Sequence, residues 1–257
     1  MLHRIGLPLL GFIVAIALWQ AGVAALQAAI PIAGAFSPWA AAQALVALLQ
    51  DPYVWHHITV SLARVGIGLS LAIAGGVPLG ILVATSAAFS RGSSPLFQFL
   101  RMVSPLSWMP LAVMVFGVGD APVIFLLAFA ALWPIMLSTA AGVAQLDANW
   151  LLLARSLSAT RRETVLRLIL PGITAHILTG IRLAIGIIWI VLVPAEMLGV
   201  SAGLGYFILD TRDRLAYPEL MAAIVLIGFL GFLLDYAARS AYRHWLHERN
   251  AAGSAGS

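Results

Sequence analysis

The stretch LLLARSLSATRRETVLRLILPG, Leu151 to Gly172, places Arg155, Arg161, Arg162 and Arg167 between two long apolar runs. Inside a bilayer each arginine would cost about 2.5–3.5 kcal/mol, roughly 10–14 kcal/mol together, so this stretch must leave the membrane. It does not read as a floppy loop. Asp147 can cap a short helix through Leu157, and Ser158 then breaks the pattern. Thr160-Arg161-Arg162-Glu163 has the S/T-x-x-E form of a capping box and announces a second helix. Val165, Leu168 and Ile169 give that helix an apolar stripe, and Pro171 marks the entry to the next span. Two short helices joined by a tight elbow, apolar on one side and cationic on the other, suit a plug that another protein receives. An ordinary cytoplasmic loop that only fixes topology would look similar.

Other residues invite chemical readings, and each has a plainer one beside it. Gly199-Val200-Ser201-Ala202-Gly203 matches the G-x-S-x-G nucleophile elbow, which needs a strand-to-helix turn with a positioned histidine and acid. Here it follows a membrane segment, so a glycine-rich turn is expected and no catalytic residue is assigned. His56-His57 has no carboxylate or thiolate company and is not read as a metal site. Arg182 and Glu196 lie within one apolar segment, where ionisable groups face a cavity or a partner. They share a helix face but stand about 21 Å apart along the axis, too far for a direct pair. Together with Trp189, halfway between them, they are the candidates for lining a translocation path. Ion pairing that ties spans together, with Trp189 as packing, is the structural reading of the same residues. Arg64 is expected to snorkel or pair, and His176 to pack.

The elements that must carry these groups follow from composition. The chain has 257 residues, of which 62% are hydrophobic and 9% charged, with mean hydropathy +1.00. About 25% charge is usual for a soluble domain, so an integral membrane protein is indicated. All 14 basic side chains are arginine and there is no cysteine, which excludes disulfides and thiolate chemistry. A Walker A loop needs a lysine for the β/γ-phosphates, so ATP cannot be hydrolysed through that motif here. Six spans are expected, at about 5–28, 58–86, 98–117, 121–145, 172–198 and 218–241, in a single all-α domain covering 1–257. The first has the basic start of a signal peptide but too long an apolar core, so it reads as an uncleaved helix. Between the first two spans, apolar residues at helical spacing between Pro38 and Pro52 suggest an interfacial amphipathic helix flanked by Trp39 and Trp55. Arginine asymmetry puts both termini and the 147–171 stretch in the cytoplasm. Gly76-x₃-Gly80 has the spacing that lets helices approach closely, within one chain or between copies.

The arginine stretch also resembles the EAA loop of permease subunits of binding-protein-dependent ABC importers, E-A-A-x₃-G-x₉-I-x-L-P. On that pattern Ala154, Leu170 and Pro171 match, while Leu152 replaces the Glu and Ser158 the Gly. SPLSWMPLAVMVFGVGDAPVIFLLAFAALWPIMLSTAAGV and TGIRLAIGIIWIVLVPAEMLGVSAGLGYFILDTRD are similar to the branch importing nitrate, bicarbonate, taurine and alkanesulfonates. The resemblance implies a MetI-like six-helix bundle in a bacterial inner membrane. It implies two permease copies, two ATP-binding subunits that hold the ATP and Mg, and an extracytoplasmic binding protein delivering a small anion. The coupling residues it implies are Asp147, Ala154, Arg155, Leu157, Ser158, Ala159, Thr160, Arg161, Arg162, Glu163, Leu170 and Pro171. Related permeases carry thiamine precursors or aromatic carboxylates instead. An ATP-independent channel or secondary transporter is the rival from another class.

Overall fold

The computed structural model describes residues 2–254, apart from the side chains of residues 2–5, 8, 148, 155 and 244–254. Arg155 was expected in the coupling stretch, but its side chain lies outside the described residues. The described chain is helical, with no strand. Among the described residues, five helices are long and apolar enough to cross a membrane: Leu9–Gln27, Pro52–Thr85, Asp120–Ala144, Arg161–Glu196 and Tyr217–Arg243. A bent pair would make a sixth if counted as one span.

The expected 98–117 span falls on that bent pair, which starts earlier and is broken rather than continuous. The pair consists of α4 (Ala87–Met102), a 3₁₀ turn (Pro105–Trp108) and α5 (Met109–Phe116), and it turns by 92°. Proline pushes its preceding residue out of the helical region, and Ser104 before Pro105 sits at φ −57, ψ 129. Pro110 then falls in the first turn of α5, where its missing N–H costs nothing.

The contacts divide the chain into two compact units, 1–60 with 202–230 and 61–201 with 231–257. In the first unit, α1 (Leu2–Gln27) leads to a 3₁₀ turn and α2 (Pro38–Gln50). The Trp19 indole N–H donates to the Phe36 carbonyl at 3.0 Å. Ser37 caps α2 by accepting from the Ala40 N–H. Ala41 and Leu48 bury one side of α2, whereas Trp39, Val46 and Leu49 are exposed, so the outer side is apolar as well and differs from the amphipathic helix expected. The Trp55 indole donates to the Leu49 carbonyl at 2.9 Å. α3 (Pro52–Thr85) begins here, and α10 (Leu204–Asp213) and the start of α11 (Tyr217–Ser254) complete the unit. Within it the Gly203 N–H donates to His57 Nδ1 at 2.9 Å.

The second unit is built on α6 (Asp120–Ala144) packed against α9 (Leu170–Glu196). Val123, Leu126, Leu127, Ala131 and Ile135 of α6 meet Ala184, Ile188, Leu192 and Ala195 of α9 in a dry core. α3 crosses α6 through glycines. A Cβ on Gly80 would fall 2.5 Å from the Met136 carbonyl oxygen, so only glycine permits this approach. The Gly76-x₃-Gly80 spacing thus serves packing within one chain.

Candidate functional site

The arginine stretch forms α7 (Ala148–Ser156), an elbow, α8 (Arg161–Glu163) and a π-helical turn (Thr164–Ile169) that runs into α9. Asp147 closes the loop leaving α6, since its Oδ1 accepts the Asn149 N–H at 2.9 Å. α7 ends when the Leu157 N–H reaches the Leu153 carbonyl and the Ala159 N–H reaches that of Ala154, both at 3.0 Å. Between them Ser158 adopts φ +55. A left-handed residue reverses the chain in one step and is ordinarily glycine or asparagine. Serine stands where the importer pattern has glycine.

The second helix starts on the capping box that its sequence announces. Thr160 Oγ1 accepts the Glu163 N–H at 3.2 Å, and Glu163 Oε2 accepts the Thr160 N–H at 2.9 Å and its hydroxyl at 2.7 Å. The Thr160 backbone N–H, then its hydroxyl, then nearby Arg167 hold the Glu163 carboxyl below the usual carboxylate range. The π turn was not legible. It widens the helix for six residues before Leu170, and Pro171 lies in the first turn of α9 without interrupting it. Ile169 and Ile173 bury against Ile81 of α3 and Val143 of α6, with Val165, Leu151 and Leu170 beside them. That apolar floor fixes the elbow to the bundle.

The exposed surface of the elbow carries both cationic and apolar side chains. Arg161 and Arg162 are exposed, but so are Trp150, Leu152, Leu153 and Leu166, and Leu157 is 73% exposed. Ala154 and Ala159 are half-buried, and Thr160 and Pro171 are exposed. Apolar side chains rimmed by cations outside a span are what a protein-binding surface looks like. Beneath lies a cleft of about 300 Å³ lined by Leu146, Trp150, Leu151, Leu168 and Gly172.

The path candidates take separate partners. Glu196, fully buried at the end of α9, accepts from the Ser61 hydroxyl at 2.8 Å and from Arg64 Nη1 at 2.7 Å. Arg64 is itself 3% exposed and also donates from Nε to Asp120 Oδ1 at 3.0 Å. Asp120 opens α6, where the helix dipole favours its charge. Arg182 Nε lies 3.8 Å from Asp235 Oδ1 on α11. Trp189 fills the space above Gly231, which has no room for a Cβ. Sequence reasoning missed Asp235 and Asp120 as partners. Each is an acid in or beside a span, and that was the available signal. His176 Nε2 faces Gln145 Oε1 at 3.3 Å, and its ring lies against Gly142. Ser201 falls in a turn between Gly199 (φ +92) and Gly203 (φ +117) that follows a helix, not a strand. The nucleophile elbow therefore lacks its structural context.

The nitrate import permease protein NrtB of Leptolyngbya laminosa is 36% identical over 185 residues, 72% of this chain and 66% of its own length. The taurine transport system permease protein TauC of Escherichia coli is 34% identical over 194 residues, 76% of this chain and 70% of its own length. The match thus spans about two thirds of these relatives. A chain of the inward-facing methionine ABC transporter MetNI superposes with a TM-score of 0.64 at 16% identity, covering 76% of this chain and 98% of its own, a likeness of fold alone. The family model for the binding-protein-dependent transport system inner membrane component matches residues 76–246. The chain, with its span-sized helices and its capped elbow, belongs to this family of inner membrane transport components.

Proposed function

We propose that this chain is the path-forming permease subunit of an ATP-driven importer for a small anion. Two copies surround the path and two separate ATP-binding subunits bind ATP and Mg. A binding protein on the far side delivers the substrate. Both termini and the 147–171 elbow face the cytoplasm, in keeping with the arginine asymmetry. The chain holds no cofactor and catalyses no reaction. Nitrate and taurine, named in the relatives, each carry an anionic oxo group, which supports the substrate class.

The observation that carries the reading is the elbow: an internally capped turn seated on Ile169 and Ile173 that presents exposed leucines and arginines. A rigid seat transmits a push into α9, and an exposed face receives it. Asp147, Ala154 and Ser158 to Glu163 shape the elbow. Leu157, Arg161 and Arg162 make contact with the ATPase, and Leu170 and Pro171 pass the movement to the span. Arg182, Trp189 and Glu196 act as ties between helices, which their observed partners support.

The test is Arg161→Glu with Arg162→Glu. Co-purification of the ATP-binding subunit and substrate-stimulated ATP hydrolysis should both fall. Unchanged values, or anion uptake into vesicles that hold this chain and no ATPase, would overturn the reading in favour of a channel or secondary transporter.

A further inference from the structure

A second group of arginines lies away from the elbow, on α9 and the far end of α11. Arg182, Asp235, Tyr236, Arg239, Tyr242 and Arg243 line a cleft of about 450 Å³. The α11 members recur at spacings of three and four, so one face of that helix carries them all. We propose that this cleft binds the phosphodiester headgroup of an anionic phospholipid.

Charge is the first argument. Three guanidinium groups face one carboxylate, a net charge of +2 in the lining. Asp235 is divided between two of them, with Oδ1 3.8 Å from Arg182 and Oδ2 2.7 Å from Arg239 Nε. One carboxylate cannot neutralise both, and Arg243 has no acidic partner among the described residues. Guanidinium forks match phosphate oxygens, and the two tyrosines add hydroxyl donors.

Depth is the second. From Leu220 to Leu234 α11 carries no charged side chain, and Asp235, Arg239 and Arg243 then follow at spacings of four. Arg239 and Arg243 therefore lie just past the apolar run, at the membrane–water boundary where lipid phosphates reside, with Arg182 and Asp235 on its inner side.

The third argument selects a lipid over a free anion. The charged cleft continues along α11 into an exposed apolar surface. Phe232 is 63% exposed and stacks on Tyr236 with ring centroids 6.4 Å apart, and Phe229 and Leu233 are exposed beside them. A soluble anion has no use for that surface, whereas an acyl chain hanging from a phosphate would lie along it. Basic pockets between membrane helices recognise lipid headgroups by this combination. The inference does not depend on what the chain transports.

The experiment uses the full chain in nanodiscs of phosphatidylcholine and phosphatidylglycerol in equal amounts, with retained lipids counted by native mass spectrometry. Wild type should retain phosphatidylglycerol preferentially, and Arg239→Gln with Arg243→Gln should lower that ratio about twenty-fivefold, roughly fivefold per arginine. Arg243→Gln alone should lower it about fivefold and makes a separate check, because no ion pair among the described residues is lost with it. Equal retention of both lipids by wild type would overturn the proposal. So would an unchanged preference in the variants, or displacement of phosphatidylglycerol by millimolar inorganic phosphate, which would assign the cleft to a soluble anion.

Discussion

At Ser158 a serine holds the left-handed backbone of the elbow. A Cβ in that region costs about 1–2 kcal/mol, and glycine adopts it freely. Ser158→Gly should therefore keep transport and raise the melting temperature of the purified chain by a few degrees; a lower melting temperature would show that the serine contributes something the backbone does not reveal. Glu163 makes a pH prediction. Its carboxyl is held below the ordinary range, so its share of stability is complete above the ordinary carboxylate value of 4.5 and disappears as pH falls through the lowered folded value. The stability difference between wild type and Glu163→Ala should stay constant from pH 8 to 5 and shrink in stronger acid. Thermal unfolding across that range measures it. These residue-scale features were the most legible ones, because a capping box and a helix stop are written in four to six consecutive residues. Arg64 was not so legible. Its partners Asp120 and Glu196 lie 56 and 132 positions away, and only the arrangement of three helices joins them.

Helix contacts at the scale of elements depend on groups that have no slack. Gly80 meets the backbone of α6, and Gly80→Ala should lower thermal stability by about 1–3 kcal/mol, because the obstacle is a carbonyl and not a side chain that can rotate. The Arg64–Glu196 pair ties α3 to α9 in a dry setting. Glu196→Gln should cost about 3–5 kcal/mol by leaving the arginine half-compensated, while Arg64→Met with Glu196→Leu should recover much of the loss. A double variant no more stable than either single one would show that the remaining partners, Ser61 and Asp120, need the charges as well. Periodicity located the helices themselves, since long apolar runs fix spans without reference to partners. It could not give the 92° bend between α4 and α5, which combines a proline signal with packing against α6. Nor could it give the π turn, whose hydrogen-bond register follows from seating Ile169 in the floor beneath the elbow.

The proposed orientation of the whole molecule rests on its arginines, and it decides whether the elbow can meet an ATPase at all. The absence of cysteine makes the matter directly measurable, because any cysteine introduced is unique. Leu157 at the elbow is 73% exposed, and Ser201 in the Gly199–Gly203 turn is also exposed. α9, between them, has the length of a span, and the proposed topology puts the two positions on opposite sides of the bilayer. In spheroplasts producing this chain without its ATPase, a membrane-impermeant maleimide should label Ser201→Cys at once and Leu157→Cys only after permeabilisation. The reverse pattern would put the elbow outside the cell, beyond reach of any ATP-binding subunit, and the importer reading would fail even though the family fold remained. Adding the ATPase to permeabilised cells supplies the complementary measurement: protection of Leu157→Cys, with Ser201→Cys labelled as before, would mark the elbow as the surface that is covered.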